Sequence, residues 1–360
     1  FHGRHAAFQA ECIAAREMER EEAGGPVLQL EPDIKRSFGG LRDIHLIRWL
    51  GFAYHDVCDI DSLRLRGLLS KEDARRLTIA ADHLWGYRID LHLQAGKAAD
   101  VLTREQQLRL AAQQSVSGAA GLRPVERLMQ DYFRHSLAVA EIAGRFVAQH
   151  QRPTRMQRAL NFLTTVRIDQ IYRIRSGAVD VPRRFRQRVC GSLEGMLKIY
   201  LTAARFQVLP TERVLDWIKT RVPKDAAPLS WEASRCFLQF LATPGKIGHL
   251  LRSMYQTGVL EAVLPDLRHA RCLLQFNQYH SYTVDEHTLR TIEAVESFAA
   301  DLGPVGQAAR DIRHREILHL ALLLHDAGKG FEEDHSEVGR RLALEAAARL
   351  HLSDSQRDLL

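Results

Sequence analysis

Residues 320–330 read LALLLHDAGKG. An apolar run with helical character ends on His325 and Asp326, and Gly328, Lys329 and Gly330 break it at once. An unpaired imidazole and carboxylate at the buried end of a core helix cost roughly several kcal/mol unless something binds them. Consecutive helical residues point about 100° apart, so the pair shares one ligand only at a helix end, where Gly328 is expected to let the chain turn away. That geometry suits a metal ion. A second imidazole is available from His287, at the start of a helix expected over 284–302 whose Leu289, Ile292, Val295 and Phe298 pack inward. His335, in the first turn of the next helix, offers a third.

Imidazole and carboxylate without thiolate favour a hard divalent ion, Mn, Mg or Fe, over a structural zinc. Such an ion polarises a phosphoryl oxygen and activates water, which makes phosphoester hydrolysis the natural chemistry. Lys329 is then placed to neutralise phosphate charge. Any one of the 17 histidines taken alone reads more simply as a satisfied, partly buried side chain. The spacing of the set carries the metal reading.

His287, then HDAGK at 325–329, then His335 resembles the HD superfamily of metal-dependent phosphohydrolases, which are all helical. The flanking segments YHSYTVDEHTLRTI (279–292) and KGFEEDHSEVG (329–339) resemble the HD domain of the bifunctional PII uridylyltransferase and uridylyl-removing family. EPDIKRSFGGLRDIHLIRWL (31–50) is similar to the stretch where that family's nucleotidyltransferase half passes into helices, and MYQTGVLEAVLPDL (254–267) to the lead-in to its HD domain.

The resemblance implies that His287, His325 and Asp326 hold the ion, that His335 binds a second ion or the phosphate, and that Asp326 and Lys329 serve hydrolysis, Lys329 by stabilising transition-state charge. It implies UTP as the substrate of the transferase, with Glu31 or Asp33 the candidate catalytic carboxylate and Lys35 a candidate phosphate contact. The implied partner is a PII signalling protein, with glutamine as effector through domains outside these residues. The implied organisation is the edge of a nucleotidyltransferase domain over 1–50, a helical bundle over 51–150, a helical linker region over 151–279 and an HD domain over 280–360.

The family's Gly-Ser turn and following Asp-x-Asp pair are absent. The pair Asp59 and Asp61 follows no Gly-Ser and reads as a loop. A fourth family metal ligand is expected beyond Leu360, and Asn277 stands where the family has Asp. Two other readings are a different HD phosphohydrolase acting on nucleotides and a non-catalytic helical module that binds a PII-like partner.

The rest of the sequence is consistent with a mainly α protein. With 360 residues, 46% of them hydrophobic, it can form two or three packed domains. Its longest apolar runs fall far short of a membrane span, which needs about 20 residues. Five scattered cysteines with no CxxC pair and no signal-peptide pattern point to the cytoplasm. The lack of an initiator Met suggests a start inside a longer protein. Fifty basic residues mixed with 44 acidic ones do not imply a nucleic-acid partner, and PRRFRQR (182–188) reads as a solvated helix face.

Helix starts are expected at the capping patterns Ser70 to Asp73, Thr283 to Glu286 and Asp334 to Glu337. Breaks are expected at 150–155, 221–230 and 263–267, with the main boundary near 150. Val27, Leu28 and Leu30 suggest a short strand, the tail of an α/β unit. Gly39-Gly40 then turn the chain into a helix, with Gly40 expected to need a backbone angle that β-branched residues resist.

Overall fold

The computed structural model describes residues 5–23, 28–114, 121–150, 165–225, 227–276 and 282–360. The chain is mainly helical, as its patterning predicts, and divides into two compact units. The first comprises Phe1–Arg152 with Cys272–Glu286, the second Pro153–Arg271 with His287–Leu360. Among the described residues no helix is long and apolar enough to cross a membrane.

The first unit is organised around α6 (Pro124–His150), because its Tyr132, Phe133 and Phe146 are fully buried. Helices α2 (Leu41–His55), α4 (Lys71–Ala95) and α5 (Arg104–Gln113) pack on it, and α1 (His5–Glu22) packs on α2. A short α3 (Ile60–Leu65) leads into α4, whose N-cap is Ser70, accepting from the Asp73 N–H as expected. Asp43, in the first turn of α2, is wholly buried. It receives Arg16 at 2.6 Å, Arg20 at 2.7 Å and the Gly39 N–H at 2.8 Å, which ties α1 and the entry to α2 to one carboxylate.

Two expectations for this region need correction. Leu28 and Leu30 are buried but form no strand, since the Leu30 carbonyl accepts from the Gln107 side-chain amide at 2.6 Å instead of from a neighbouring strand. Val27 lies outside the described residues. An isolated antiparallel bridge joins Asp33 and Val101. In the Gly-Gly turn it is Gly39 that needs glycine's freedom, at φ +72°, while Gly40 is extended at φ −79°, ψ −177°. A Cβ on Gly40 would lie 2.7 Å from the Ile34 carbonyl oxygen, so crowding, not backbone angle, constrains it.

The second unit holds a four-stranded sheet that the sequence did not disclose: β1 (Val166–Arg167), β2 (Arg173–Arg175), β3 (Ala178–Asp180) and β4 (Leu209–Pro210), in that order. The first three are antiparallel, and β4 joins β3 in parallel after α7 (Arg183–Val189) and α8 (Leu193–Arg205). Then follow α9 (Glu212–Lys219), α10 (Trp231–Ala242), α11 (Gly248–Thr257), α12 (Val259–Val263), α13 (Leu267–Ala270), α14 (Val284–Phe298), α15 (Pro304–Asp311), α16 (Arg315–Leu324), α17 (His335–Arg349) and α18 (Asp354–Leu359). Helix α10 packs between α8 and α16, and α16 also packs on α17.

Candidate metal centre

Helix α16 is an apolar segment that buries Ile317, Leu320, Leu323 and Leu324. It is pinned by His319, whose buried Nδ1 lies 2.7 Å from the Leu241 carbonyl oxygen of α10. The helix stops at His325, still helical at φ −55°, ψ −32°. Gly328 lets the turn continue, but by contact: a Cβ there would sit 2.2 Å from the His335 carbonyl oxygen and 2.6 Å from the Gly339 nitrogen. The positive backbone angle falls at Gly330, φ +82°.

His287 projects from the first turns of α14. Thr283 does not cap this helix, because Asp285 Oδ1 takes the Glu286 N–H at 3.0 Å and leaves the buried Thr283 hydroxyl unpaired. Asp334 caps α17 as expected, accepting from the Ser336 and Glu337 N–H groups.

These elements bring three of the expected ligands together. One donor atom from each of His287, His325 and Asp326 lies within 4.8 Å of the others. Asp326 Oδ2 is 3.4 Å from His325 Nε2, 3.8 Å from His287 Nε2 and 2.9 Å from Lys329 Nζ. The imidazole rings of His287 and His325 have centroids 5.5 Å apart. His325 Nδ1 lies 2.7 Å from the Leu322 carbonyl oxygen, so Nδ1 carries a proton, and Nε2, 3.4 Å from Asp326 Oδ2, donates to that oxygen in the protonated ring and offers its lone pair to a cation in the neutral one.

Burial works against the charge on Asp326, but His325 and Lys329 outweigh it and hold the carboxyl far below the usual carboxylate range. The neighbouring Asp326 raises the value of His325. Burial lowers that of His287, which favours its neutral form. An ionised carboxylate and two imidazole nitrogens form a donor set that fits a divalent ion.

The remaining candidates stand elsewhere. His335 is exposed and outside the cluster, although its carbonyl oxygen abuts Gly328. Glu31 and Lys35 belong to the first unit. The Glu31 carboxylate accepts from the Arg104 N–H at 2.7 Å, at the start of α5, and the Lys35 backbone N–H donates to Asp33 Oδ1 at 2.9 Å. Asp59 and Asp61 do not form a loop: Asp59 caps α3, accepting from the Ser62 N–H, and Asp61 lies in the first turn of that helix, because the cap nucleates a helix there. Asn277 lies outside the described residues.

His269 of α13 was not foreseen. Its Nε2 lies 3.0 Å from the Gly330 carbonyl oxygen and its ring packs at a tilt against Phe331, centroids 4.2 Å apart, so it braces the loop after Asp326. No sequence spacing could have singled it out, because it stands far upstream of that loop.

A helical region that ends a buried helix on His-Asp and draws a further imidazole from another helix has the architecture of an HD domain, and residues 284–359 match the model of that family. Residues 7–147 match the family described as GlnD PII-uridylyltransferase. The bifunctional uridylyltransferase/uridylyl-removing enzyme of Cereibacter sphaeroides is 33% identical over 98% of this chain and 39% of its own length. That of Ruegeria pomeroyi is 35% identical over 96% of this chain and 39% of its own. That of Methylococcus capsulatus is 32% identical over 96% and 40%. The chain is similar to these enzymes over nearly all of its own length and spans about two fifths of theirs. No solved structure gives a significant match.

Proposed function

We propose that the second unit hydrolyses the phosphodiester joining UMP to a tyrosine of a PII signalling protein, and that the first unit belongs to the half that attaches UMP from UTP. The observation that carries this reading is the convergence of His287, His325 and Asp326 on one point in an HD domain. These three residues would hold a divalent ion, Mn or Mg in preference to Fe. When bound, the ion supplies Lewis acidity at the phosphoryl group and lowers the pKa of water. Asp326 contributes the negative charge that retains a cation, and His325, oriented by the Leu322 carbonyl, contributes a fixed lone pair. Lys329 offers positive charge where a phosphoryl oxygen gains negative charge. His335 is assigned to a second ion or to the phosphate.

In the same reading, residues 1–50 and 51–150 form part of the transferase half, with Glu31 and Lys35 serving UTP. Residues 151–279 lead into the HD domain at 280–360. Glutamine acts as effector, neither nucleic acid nor membrane is a partner, and the protein works in the cytoplasm.

The test is UMP release from uridylylated PII with Mn or Mg, alongside His325→Ala and Asp326→Ala. Release by the parent and its loss in both variants, with circular dichroism unchanged, supports the proposal. Absence of release with either ion, or release that survives both substitutions, overturns it.

A further inference from the structure

Residues 165–192 contain seven arginines, no lysine and two aspartates, so five of the chain's six net positive charges reside there. Both aspartates are used internally. Asp180, buried at the end of β3, takes Arg173 and, at 3.3 Å, Arg186 of α7. Asp169 accepts the Ile171 and Tyr172 N–H groups in the turn between β1 and β2. The other five, Arg167, Arg175, Arg183, Arg184 and Arg188, are exposed, and none has a carboxylate at ion-pair distance among the described residues.

Strand register places two of these five, Arg167 and Arg175, on one face. Arg167 pairs with Arg173, Arg173 with Asp180, Arg175 with Ala178, and Ala178 with Leu209. Residues paired across strands share a face, as do residues two apart. Arg167, Arg173, Arg175, Ala178, Asp180 and Leu209 therefore share one surface, on which the Asp180 carboxylate is taken by Arg173 and by Arg186 of α7. On this surface Arg167, Arg175 and Leu209 are exposed, while on the opposite face Val179 is fully buried and Val166, on the outermost strand, is exposed. Leu209, 42% exposed, adds an apolar spot to the arginine face.

We propose that this face and α7 form a docking surface for an acidic segment of a protein partner. Guanidinium forks pair bidentately with carboxylates, and a surface in which arginine occurs without lysine and beside an exposed leucine has the composition of a protein interface. The inference goes beyond the hydrolase reading and does not depend on it.

Fluorescence anisotropy tests it with a short labelled peptide alternating Glu and Leu, its Gln-for-Glu counterpart and a single-stranded oligothymidylate of equal charge. The acidic peptide is expected to bind more tightly than the other two. Arg167→Glu with Arg175→Glu should weaken it at least about tenfold, because opposed charges become like charges. Arg235→Glu with Arg313→Glu, exposed arginines elsewhere in the second unit, should change it little. Leu209→Ser should weaken the peptide and not the oligonucleotide. Thermal melts establish that each variant is folded. No preference for the acidic peptide over its Gln counterpart, equal weakening by the control pair, or tighter oligonucleotide binding lost in the Arg167 and Arg175 variant would overturn the proposal, the last in favour of nucleic acid.

Discussion

The Lys329 ammonium stands 2.9 Å from Asp326 Oδ2, closer than the Nε2 atom of either His325 or His287. The oxygen best placed to bind a cation already faces one from its own chain. Lys329 therefore opposes ion binding at the position where it would assist a phosphoryl group.

Lys329→Gln should separate these effects. Removing a charge about 4 Å from an ion is expected to tighten Mn binding about five- to tenfold, a fraction of the bare Coulomb term after solvent screening. Turnover on a phosphodiester should fall at the same time. Titration calorimetry and initial rates read the two directly, and weaker Mn binding would show that Lys329 supports the ion instead.

His269→Phe keeps a ring against Phe331 and removes the contact with the Gly330 carbonyl. A residue that orients a ligand loop typically contributes about 10-fold or more to metal affinity or activity. Mn affinity should fall by about that factor with little change in melting temperature. Unchanged affinity would reduce His269 to packing.

Gly39 and Gly67 have nearly the same backbone angle, φ +72° and +71°, in different surroundings. A Cβ at Gly39 would meet the Ser136 carbonyl oxygen at 1.9 Å, whereas nothing lies within 4 Å of one at Gly67. Gly67→Ala should cost about 1 kcal/mol from the backbone alone. Gly39→Ala should cost at least about 2 kcal/mol more, because the helix behind it must move. Urea unfolding of both proteins measures the difference, and equal losses would mean that α6 yields easily.

His319 is buried beside the Leu241 carbonyl, and burial pushes its imidazole below its ordinary value. The unfolded chain therefore takes up the proton first as pH falls through about 6.5, and stability is lost toward acid. Burial likewise lowers His45, His135 and His287, which adds to the same trend. Denaturation between pH 7.5 and 5.5 should show a declining free energy. In His319→Gln the slope should be shallower by up to about 1.4 kcal/mol per pH unit, one proton's worth. An identical slope would show that the proton is taken up elsewhere.

What the sequence disclosed was local. The run ending at His325-Asp326 and the caps at Ser70 and Asp334 depend on residues within a turn of each other, so composition and spacing suffice to find them. The cap expected at Thr283 failed because an adjacent carboxylate, Asp285, took the Glu286 N–H, a competition the motif does not register. The sheet escaped notice because its strands are two or three residues long and exist only through pairing across the chain. His269 and the brace of His319 on Leu241 join residues far apart in sequence, and no periodicity links them.

The sequence isoelectric point of 9.2 suggests a uniformly basic molecule, yet outside residues 165–192 the chain is within one charge of neutrality. Such a molecule keeps its net charge of +6 but carries most of it in one segment, so the repulsion between two copies depends on which surfaces meet. At low ionic strength the arginine face of one copy is drawn to acidic regions of another, and heterologous contacts of that kind extend into chains instead of closing. Physiological salt, with a screening length of about 8 Å, shortens the reach of this attraction. Solubility should therefore rise on adding salt, the reverse of what uniform mutual repulsion would give.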